Sequence, residues 1–330
     1  MQTPPIPLPA TMKAAVHRVY GPPETVSIER IAVPVPAKGE LLVRVRATTV
    51  NRTDSGFRSA EYFVSRFFSG LFRPKFNVLG NEFAGDVVAT GGAVTSARIG
   101  DRIFGFNDVH FGAHAEYMLV KDSDAFATIP DGLSYAEAAP ITEGAHYALC
   151  NLRAAKVKAG QTILVNGGTG AIGSAAIQLS KVMGLTVTAV CGPDHVELVR
   201  SLGADRVLDY SREDFTTLGD RFDVVFDAVG KSTWAKCKPL LEEHGIYMST
   251  ELGPYLQNPL FALFTPLAGG KRLLFPLPTI SKDDVNYLRE LVATSKFRPL
   301  IDRYTALEDI VETYRYVEKG FKVGNVVVQL

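Results

Sequence analysis

Thr162–Gly184, TILVNGGTGAIGSAAIQLSKVMG, is the stretch whose reading decides the fold. Ile163, Leu164, Val165 and Asn166 read as a short buried strand, and Gly167-Gly168-Thr169-Gly170-Ala171-Ile172-Gly173 as a glycine turn. Ala175, Ala176, Leu179, Val182 and Met183 then recur at helical spacing. A strand entering a helix through glycines aims unpaired N–H groups and the positive end of the helix dipole at one spot, which suits a pyrophosphate. In the fingerprint Gly168-x-Gly170-x-x-Gly173 the three glycines serve, in turn, the tight turn, close backbone approach to phosphate, and helix-on-strand packing.

Alone, such a fingerprint also fits a purely structural loop, so the following residues must decide. Thr186–Val190, Arg206–Tyr210, Phe222–Asp227 and Ile246–Thr250 read as four more strands, with a helix-like Val196–Leu202 among them. That alternation predicts a parallel, doubly wound α/β sheet, and in it the glycine turn becomes a dinucleotide site.

The chain's 330 residues favour two domains. Its 35 basic residues balance its 35 acidic ones, so no global field holds nucleic acid or an anionic membrane, and no nucleic-acid partner is expected. Cys150, Cys191 and Cys237 form no CxxC or Cys/His cluster, which argues against a disulfide framework or structural zinc and for a reducing, cytoplasmic setting. Residues 1–11 are rich in proline, lack a basic start, and read as a flexible lead-in rather than a signal peptide. No uninterrupted apolar run is long enough to span a membrane.

Residues 12–130 are mostly β in pattern, with strands expected at Met12–Val16, Val26–Ile31, Leu41–Val45, Val87–Val94, Ile103–Phe106 and His114–Val120. Asn51–Phe83 interrupts them with Phe57, Tyr62, Phe63, Phe67, Phe68, Phe72 and Phe76 among Arg58, Arg66, Arg73 and Lys75. This is either core packing or an aromatic wall of a substrate cleft. Residues 131–279 carry the dinucleotide fold. Within them 253–278, rich in Pro, Phe and Leu, reads as a hydrophobic closing segment or a subunit contact, with a membrane-surface patch as the weaker alternative. Lys282–Ser295 and Leu307–Val317 read as amphipathic helices and Asn325–Leu330 as a strand, so residues 280–330 are expected to return and complete the first domain.

The chain resembles the medium-chain dehydrogenase/reductase superfamily, and within it the zinc-free quinone-oxidoreductase branch. The resemblance is carried by MKAAVHRVYGPPE (Met12–Glu24), LGNEFAGDVVATG (Leu79–Gly91), GDRIFGF (Gly100–Phe106), AHAEYMLV (Ala113–Val120), VNGGTGAIGSAAIQLSK (Val165–Lys181), VRSLGADRVLDY (Val199–Tyr210), FDVVFDAVG (Phe222–Gly230) and KGFKVGNVVVQL (Lys319–Leu330). It implies a GroES-like β domain joined to a Rossmann domain, an active site in the cleft between them, and a homodimer. Where zinc enzymes of the superfamily carry their metal ligands, this chain has Asn51, Asn81 and Thr142. Neutral amides and a hydroxyl do not replace thiolate and imidazole, so no zinc is expected.

The resemblance then implies hydride transfer from a nicotinamide to a quinone or an α,β-unsaturated carbonyl, a small electrophilic molecule. Asn51 is expected on the nicotinamide ribose or the acceptor carbonyl, with helix capping as its structural alternative. Asp54 and Glu82 either orient backbone or relay a proton. Tyr62, His146 and Tyr147 are the expected proton donors if an enolate forms. Cofactor contacts are expected from Gly168, Thr169, Gly170, Ala171, Ile172 and Gly173, and from Ala228, Val229, Ser249, Thr250 and Glu251. The second strand ends in Cys191-Gly192 rather than an acidic residue, and Gly192, His195 and Tyr210 stand near the 2′-phosphate position, so NADPH is favoured over NADH. Two alternatives stay open: an enoyl-thioester reductase entered past Arg66, Arg73 and Lys75, and a cofactor-bound binding protein with little turnover.

Overall fold

A computed structural model describes residues 8–61 and 66–330. Most of the proline-rich lead-in, residues 1–7, lies outside the described residues, as do Tyr62 and Phe63. In chain order come β1 (Thr11–His17), β2 (Val26–Ala32), β3 (Glu40–Val50), α1 (Arg52–Ser59), α2 (Arg66–Ser69), β4 (Glu82–Thr90), β5 (Arg102–Phe106), β6 (Tyr117–Lys121) and β7 (Ala125–Thr128). They are followed by α3 (Tyr135–Ala138), α4 (Glu143–Ala155), β8 (Thr162–Asn166), α5 (Ala171–Val182), β9 (Thr186–Cys191), α6 (Val196–Ser201) and β10 (Arg206–Asp209). Then come β11 (Phe222–Asp227), α7 (Trp234–Cys237), β12 (Leu241–Ser249), α8 (Gln257–Phe264) and β13 (Arg272–Leu274). The chain closes with α9 (Lys282–Ala293), β14 (Ile301–Ala306), α10 (Ile310–Glu318) and β15 (Asn325–Gln329).

Two compact units result. The first comprises Met1–Thr142, Ser281–Ala293 and Ile301–Leu330, and the second Glu143–Ile280 and Thr294–Leu300. The boundary falls twelve residues later than the 130/131 junction expected from the sequence. The buried Thr142 explains the shift, because its N–H and hydroxyl both bond the Glu82 carboxylate of β4 and keep the segment with the first unit. Residues 294–300 go with the second unit rather than the first, and Gln178 of α5 accounts for this by bonding both the N–H and the carbonyl of Arg298. Helix α9 joins the first unit through Lys282, bonded to the Asp122 carbonyl, and Arg289, bonded to that of Thr128.

In the first unit, seven strands form a sheet in the order β14-β15-β3-β4-β5-β7, with β6 also pairing β3, and β1 and β2 form a separate antiparallel pair. Strand β4 begins at Glu82, five residues before the expected Val87, because polar Glu82 and small Ala84 and Gly85 conceal a strand that is buried throughout that stretch. A side chain at Gly85 would stand 2.2 Å from the Arg44 carbonyl oxygen, so only glycine lets β4 lie this close to β3. Strand β14 carries no alternating pattern, being half-exposed along its length, and no sequence signal announces it. Tyr314, Ile310 and Val317 of α10 pack with Val26, Val50, Val326 and Val328, so both ends of the chain share one core.

In the second unit, six parallel strands run in the order β10-β9-β8-β11-β12-β13. The order doubles back between β8 and β11, which is the switch point where such sheets bind ligands beyond their C-terminal ends. Strands β8, β9 and β11 are near-continuous Val, Ile, Leu and Phe, as sheets covered on both faces require.

Candidate active site

The cradle in the second unit is built from backbone. Gly167 takes φ +88°, and both it and Gly168 donate their N–H to the Val190 carbonyl of β9. The tight turn expected of Gly168 therefore belongs to Gly167, since only Gly167 needs the left-handed region. Gly168 serves close packing instead, with Ile177, Val199 and Ala189 3.1–3.4 Å from where a Cβ would sit. At Gly173 a Cβ would lie 2.1 Å from the Gly167 carbonyl oxygen, whereas at Gly170 the nearest atom is 3.6 Å away. Helix α5 starts at Gly170 with no side-chain cap among the described residues. Its first N–H groups and dipole thus face a position that a phosphate fits.

The other expected cofactor residues gather along the same strand ends. Asn166 Nδ2 donates to Asp227 Oδ1 at 2.9 Å, tying β8 to β11. The wholly buried Asp227 also accepts from the main-chain N–H groups of Val229, Lys231 and Ser232. It so fixes the Ala228–Ser232 turn, and Val229 lies over Gly167, 2.3 Å from where a Cβ would sit. Ser249 is buried at the end of β12, Thr250 N–H bonds the Asp227 carbonyl, and Glu251 N–H bonds the Ser249 hydroxyl. Asp227 and Asn166 were missed from the sequence, although a carboxylate and an amide closing two parallel strands were a readable sign.

At the ends of β9 and β10, the Tyr210 hydroxyl stands 3.1 Å from the Cβ position of Gly192, and His195 N–H bonds the Gly192 carbonyl. Arg212 was also missed. Its side chain is 85% exposed and only loosely held, 3.4 Å from Asp209, whose carboxylate already takes the Ser211 N–H and hydroxyl. His146 is buried in α4, with its ring 4.7 Å from that of Tyr147. Helix α4 packs against the start of α5, where a Cβ at Gly144 would be 2.6 Å from the Ala171 carbonyl oxygen.

In the first unit a second cluster is built from side chains. Asn51 caps α1, accepting the Asp54 N–H at Oδ1 (2.9 Å), while Asp54 Oδ2 accepts the Asn51 N–H. Asn51 Nδ2 donates to Asn81 Oδ1 at 2.6 Å. Asp54 Oδ1 accepts the Gly80 N–H, so this one carboxyl fastens the start of α1 to the loop before β4. The Glu82 carboxylate takes the Thr49 hydroxyl on one oxygen and the Thr142 N–H and hydroxyl on the other. Asn51, Asn81 and Thr142, which are distant in sequence, thus belong to one buried hydrogen-bonded group. Each of these three side chains is bonded to a neighbour.

Burial pushes the Asp54 carboxyl up to about 8, against the pull of the N–H groups it accepts. Burial likewise holds the His114 imidazole down to about 4. The 3.8 Å approach of His114 Nε2 to Asp54 Oδ2 is therefore a contact of two neutral groups near pH 7, not an ion pair. His114 Nε2 lies 2.8 Å from the Thr49 carbonyl, so it carries the proton, and Nδ1 accepts from the Tyr314 hydroxyl.

Of the aromatic stretch, Phe57 and Phe76 pack on Phe111, whereas Phe67 and Phe72 are exposed. Arg66 lies over the Tyr20 ring and the Lys75 ammonium over that of Phe76. Tyr62, the remaining expected donor, lies outside the described residues.

Comparison with known proteins gives consistent matches along the chain. Residues 37–131 match the alcohol dehydrogenase GroES-like domain, and residues 202–328 match a domain described as zinc-binding dehydrogenase. The chain is 32% identical to the 2-methylene-furan-3-one reductase of Solanum lycopersicum, over 98% of its own length and 80% of that protein's. It is 30% identical to the chloroplastic NADPH-dependent alkenal/one oxidoreductase of Arabidopsis thaliana, over 97% of its length and 80% of the relative's. Among solved structures, the quinone oxidoreductase from Coxiella burnetii superposes with a TM-score of 0.87 at 27% identity, covering 97% of this chain and 99% of that one.

Proposed function

This chain belongs to the medium-chain dehydrogenase/reductase superfamily, in its quinone-oxidoreductase branch, and from that premise we propose an NADPH-dependent, zinc-independent reductase of quinones or α,β-unsaturated carbonyls. The observation that carries the reading is the bare start of α5, glycine-lined and backed by Asp227-anchored loops, in a chain whose relatives are named as reductases of conjugated carbonyls.

Reduced nicotinamide supplies a hydride and its electron pair. The chain's own residues bind and orient. Gly167–Gly173 and the α5 N-terminus would hold the pyrophosphate, with Gly170 leaving room for close approach. Val229, Ser249 and Thr250 would border the nicotinamide half. His195, Tyr210 and the loosely held Arg212 would take the 2′-phosphate, which favours NADPH over NADH. Zinc does not suit the first unit's cluster, because the amides of Asn51 and Asn81 and the Thr142 hydroxyl are weak neutral donors already bonded to neighbours.

A homodimer forms part of the proposal. Strand β13 is an open sheet edge, and Tyr255, Leu256, Leu260, Leu263, Phe264 and Leu267 beside it are exposed. No helix of the described residues is long and apolar enough to cross a membrane. A cytoplasmic location rests on three free cysteines and is checked by cell fractionation. NADPH oxidation measured with 1,4-benzoquinone, hex-2-enal and crotonyl-CoA tests the activity. Turnover of the first two is expected; preference for the thioester would select the enoyl-thioester reading, and tight NADPH binding without turnover would leave a binding protein.

A further inference from the structure

We propose that Asp227 sets which form of the cofactor the second unit prefers: its buried negative charge favours the oxidised, cationic nicotinamide over the reduced, neutral one, and so promotes hydride donation. This rests on the nicotinamide-dependent reading above. Asp227 ends β11 at the switch point of the sheet, and it is joined to each of the three residues assigned to the nicotinamide half. In register it pairs with Ser249, its carbonyl accepts the Thr250 N–H at 3.3 Å, and its Oδ1 accepts the Val229 N–H at 3.4 Å.

The carboxyl meets five donors. Oδ1 takes Asn166 Nδ2 at 2.9 Å and the N–H groups of Val229 and Lys231. Oδ2 takes the Ser232 N–H at 2.8 Å and the Tyr247 hydroxyl at 3.5 Å. The side chain is thus an acceptor only, as the ionised form is. Lys231 and Lys236, the nearest cations in sequence, are exposed, and no ion pair reaches Asp227 among the described residues. Its neighbours feel the charge. Burial first and then Asp227 push the Tyr247 hydroxyl up, and burial together with the same charge raises the Cys237 thiol to about 12.

The hydrogen bonds alone do not call for a charge. Asparagine at 227 would accept the Ser232 N–H and donate to Asn166, whose amide is held by Asp227 alone among the described residues and can turn over. Burying a carboxylate without a cation costs stability that an amide would spare. On donating a hydride with its electron pair, reduced nicotinamide goes from neutral to one positive charge, and the acceptor gains two electrons and then a proton from water. The Asp227 charge acts on that difference. It acts on the pyrophosphate as well, but equally in both forms, so the ratio of the two affinities isolates the ring. A unit charge acting over roughly 10 Å through an effective dielectric of about 20 changes such a ratio about tenfold.

The test titrates wild type and Asp227→Asn with NADP+ and with NADPH in a calorimeter, with no acceptor present. In Asp227→Asn, NADP+ affinity is expected to fall about tenfold relative to NADPH affinity, a change of roughly 30 mV in the two-electron potential of the bound cofactor. Loss of the turn's shape weakens both forms alike, so an unchanged or reversed ratio overturns the proposal even where binding is weaker. Should Asp227→Asn fail to fold, Asn166→Leu removes one donor and leaves the carboxylate less screened. The ratio is then expected to move about threefold the other way, toward NADP+. An unmoved ratio, or one that moves toward NADPH, overturns the proposal equally. Wild-type protein that binds neither nucleotide removes the nicotinamide reading and this inference with it. Tight binding of both, with one ratio shared by wild type and Asp227→Asn, removes this inference alone.

Discussion

The glycine turn of the second unit and the amide–carboxylate cluster of the first are both ordered before any ligand arrives, but by opposite means. The turn has almost no side chains: its shape comes from a left-handed Gly167, a Gly173 pressed on the Gly167 carbonyl, and N–H groups bonded to β9. The cluster is almost all side chains, with Asn51, Asp54, Asn81, Glu82 and Thr142 bonded into one group in the interior and Asn81 Nδ2 left without a partner among the described residues. A backbone site tolerates no added atom, whereas a side-chain site tolerates substitution only if hydrogen bonds stay balanced.

The sharpest break is expected at Gly173. Gly173→Ala places a Cβ 2.1 Å from a main-chain oxygen, so backbone must move. Stability should drop by about 1–3 kcal/mol, as overpacking does, and NADPH affinity should fall about 100-fold with the loss of the shaped turn. Gly170→Ala sharpens the contrast, because its Cβ meets only an ordinary 3.6 Å contact. Its melting temperature should stay near wild type while NADPH binding weakens about tenfold, since the methyl occupies phosphate space. Equal thermal loss in both variants would break the assignment of roles, and calorimetry with cofactor titration reads both.

A smaller effect is expected at Arg212. Arg212→Ala should raise the NADPH KM about tenfold, the worth of one charge-assisted bond, and leave NADH unchanged. Equal shifts for the two cofactors would remove Arg212 from the 2′-phosphate site.

The mildest prediction concerns the cluster and pH. The folded Asp54 carboxyl keeps its proton up to about 8, while the unfolded one releases it near 3.8. The native state therefore binds more protons across that window, and stability falls as pH rises through it. His114 acts oppositely, with its folded value depressed to about 4 from 6.5, so its contribution is lost as pH falls through that range. The two offset each other below about pH 6.5, and above it Asp54 acts alone. Asp54→Asn, an isostere of the protonated acid, should flatten the decline between about pH 6.5 and 8. An unchanged urea midpoint profile across that range would show that Asp54 is already ionised in the fold.

The cradle was legible because its information is local. A β strand, glycines at fixed offsets and a helical stripe lie within 23 residues of chain, Thr162–Gly184, and steric rules act between near neighbours. Even there, the fingerprint points to Gly168 for the turn that Gly167 makes, because a pattern of letters does not carry φ. The alternation of strands and helices likewise announced the parallel sheet. Tertiary structure alone decided the rest. Asn51, Asn81 and Thr142 meet only because β3 and β4 pair and the segment after α3 folds back on Glu82, so which amide atom is left unbonded could not be read along the chain. Strand β14, half-exposed and without alternation, became a strand only by pairing with β15. The physical reason is range: backbone sterics act over a few residues, whereas hydrogen-bond satisfaction in an interior depends on partners the chain brings together from far apart.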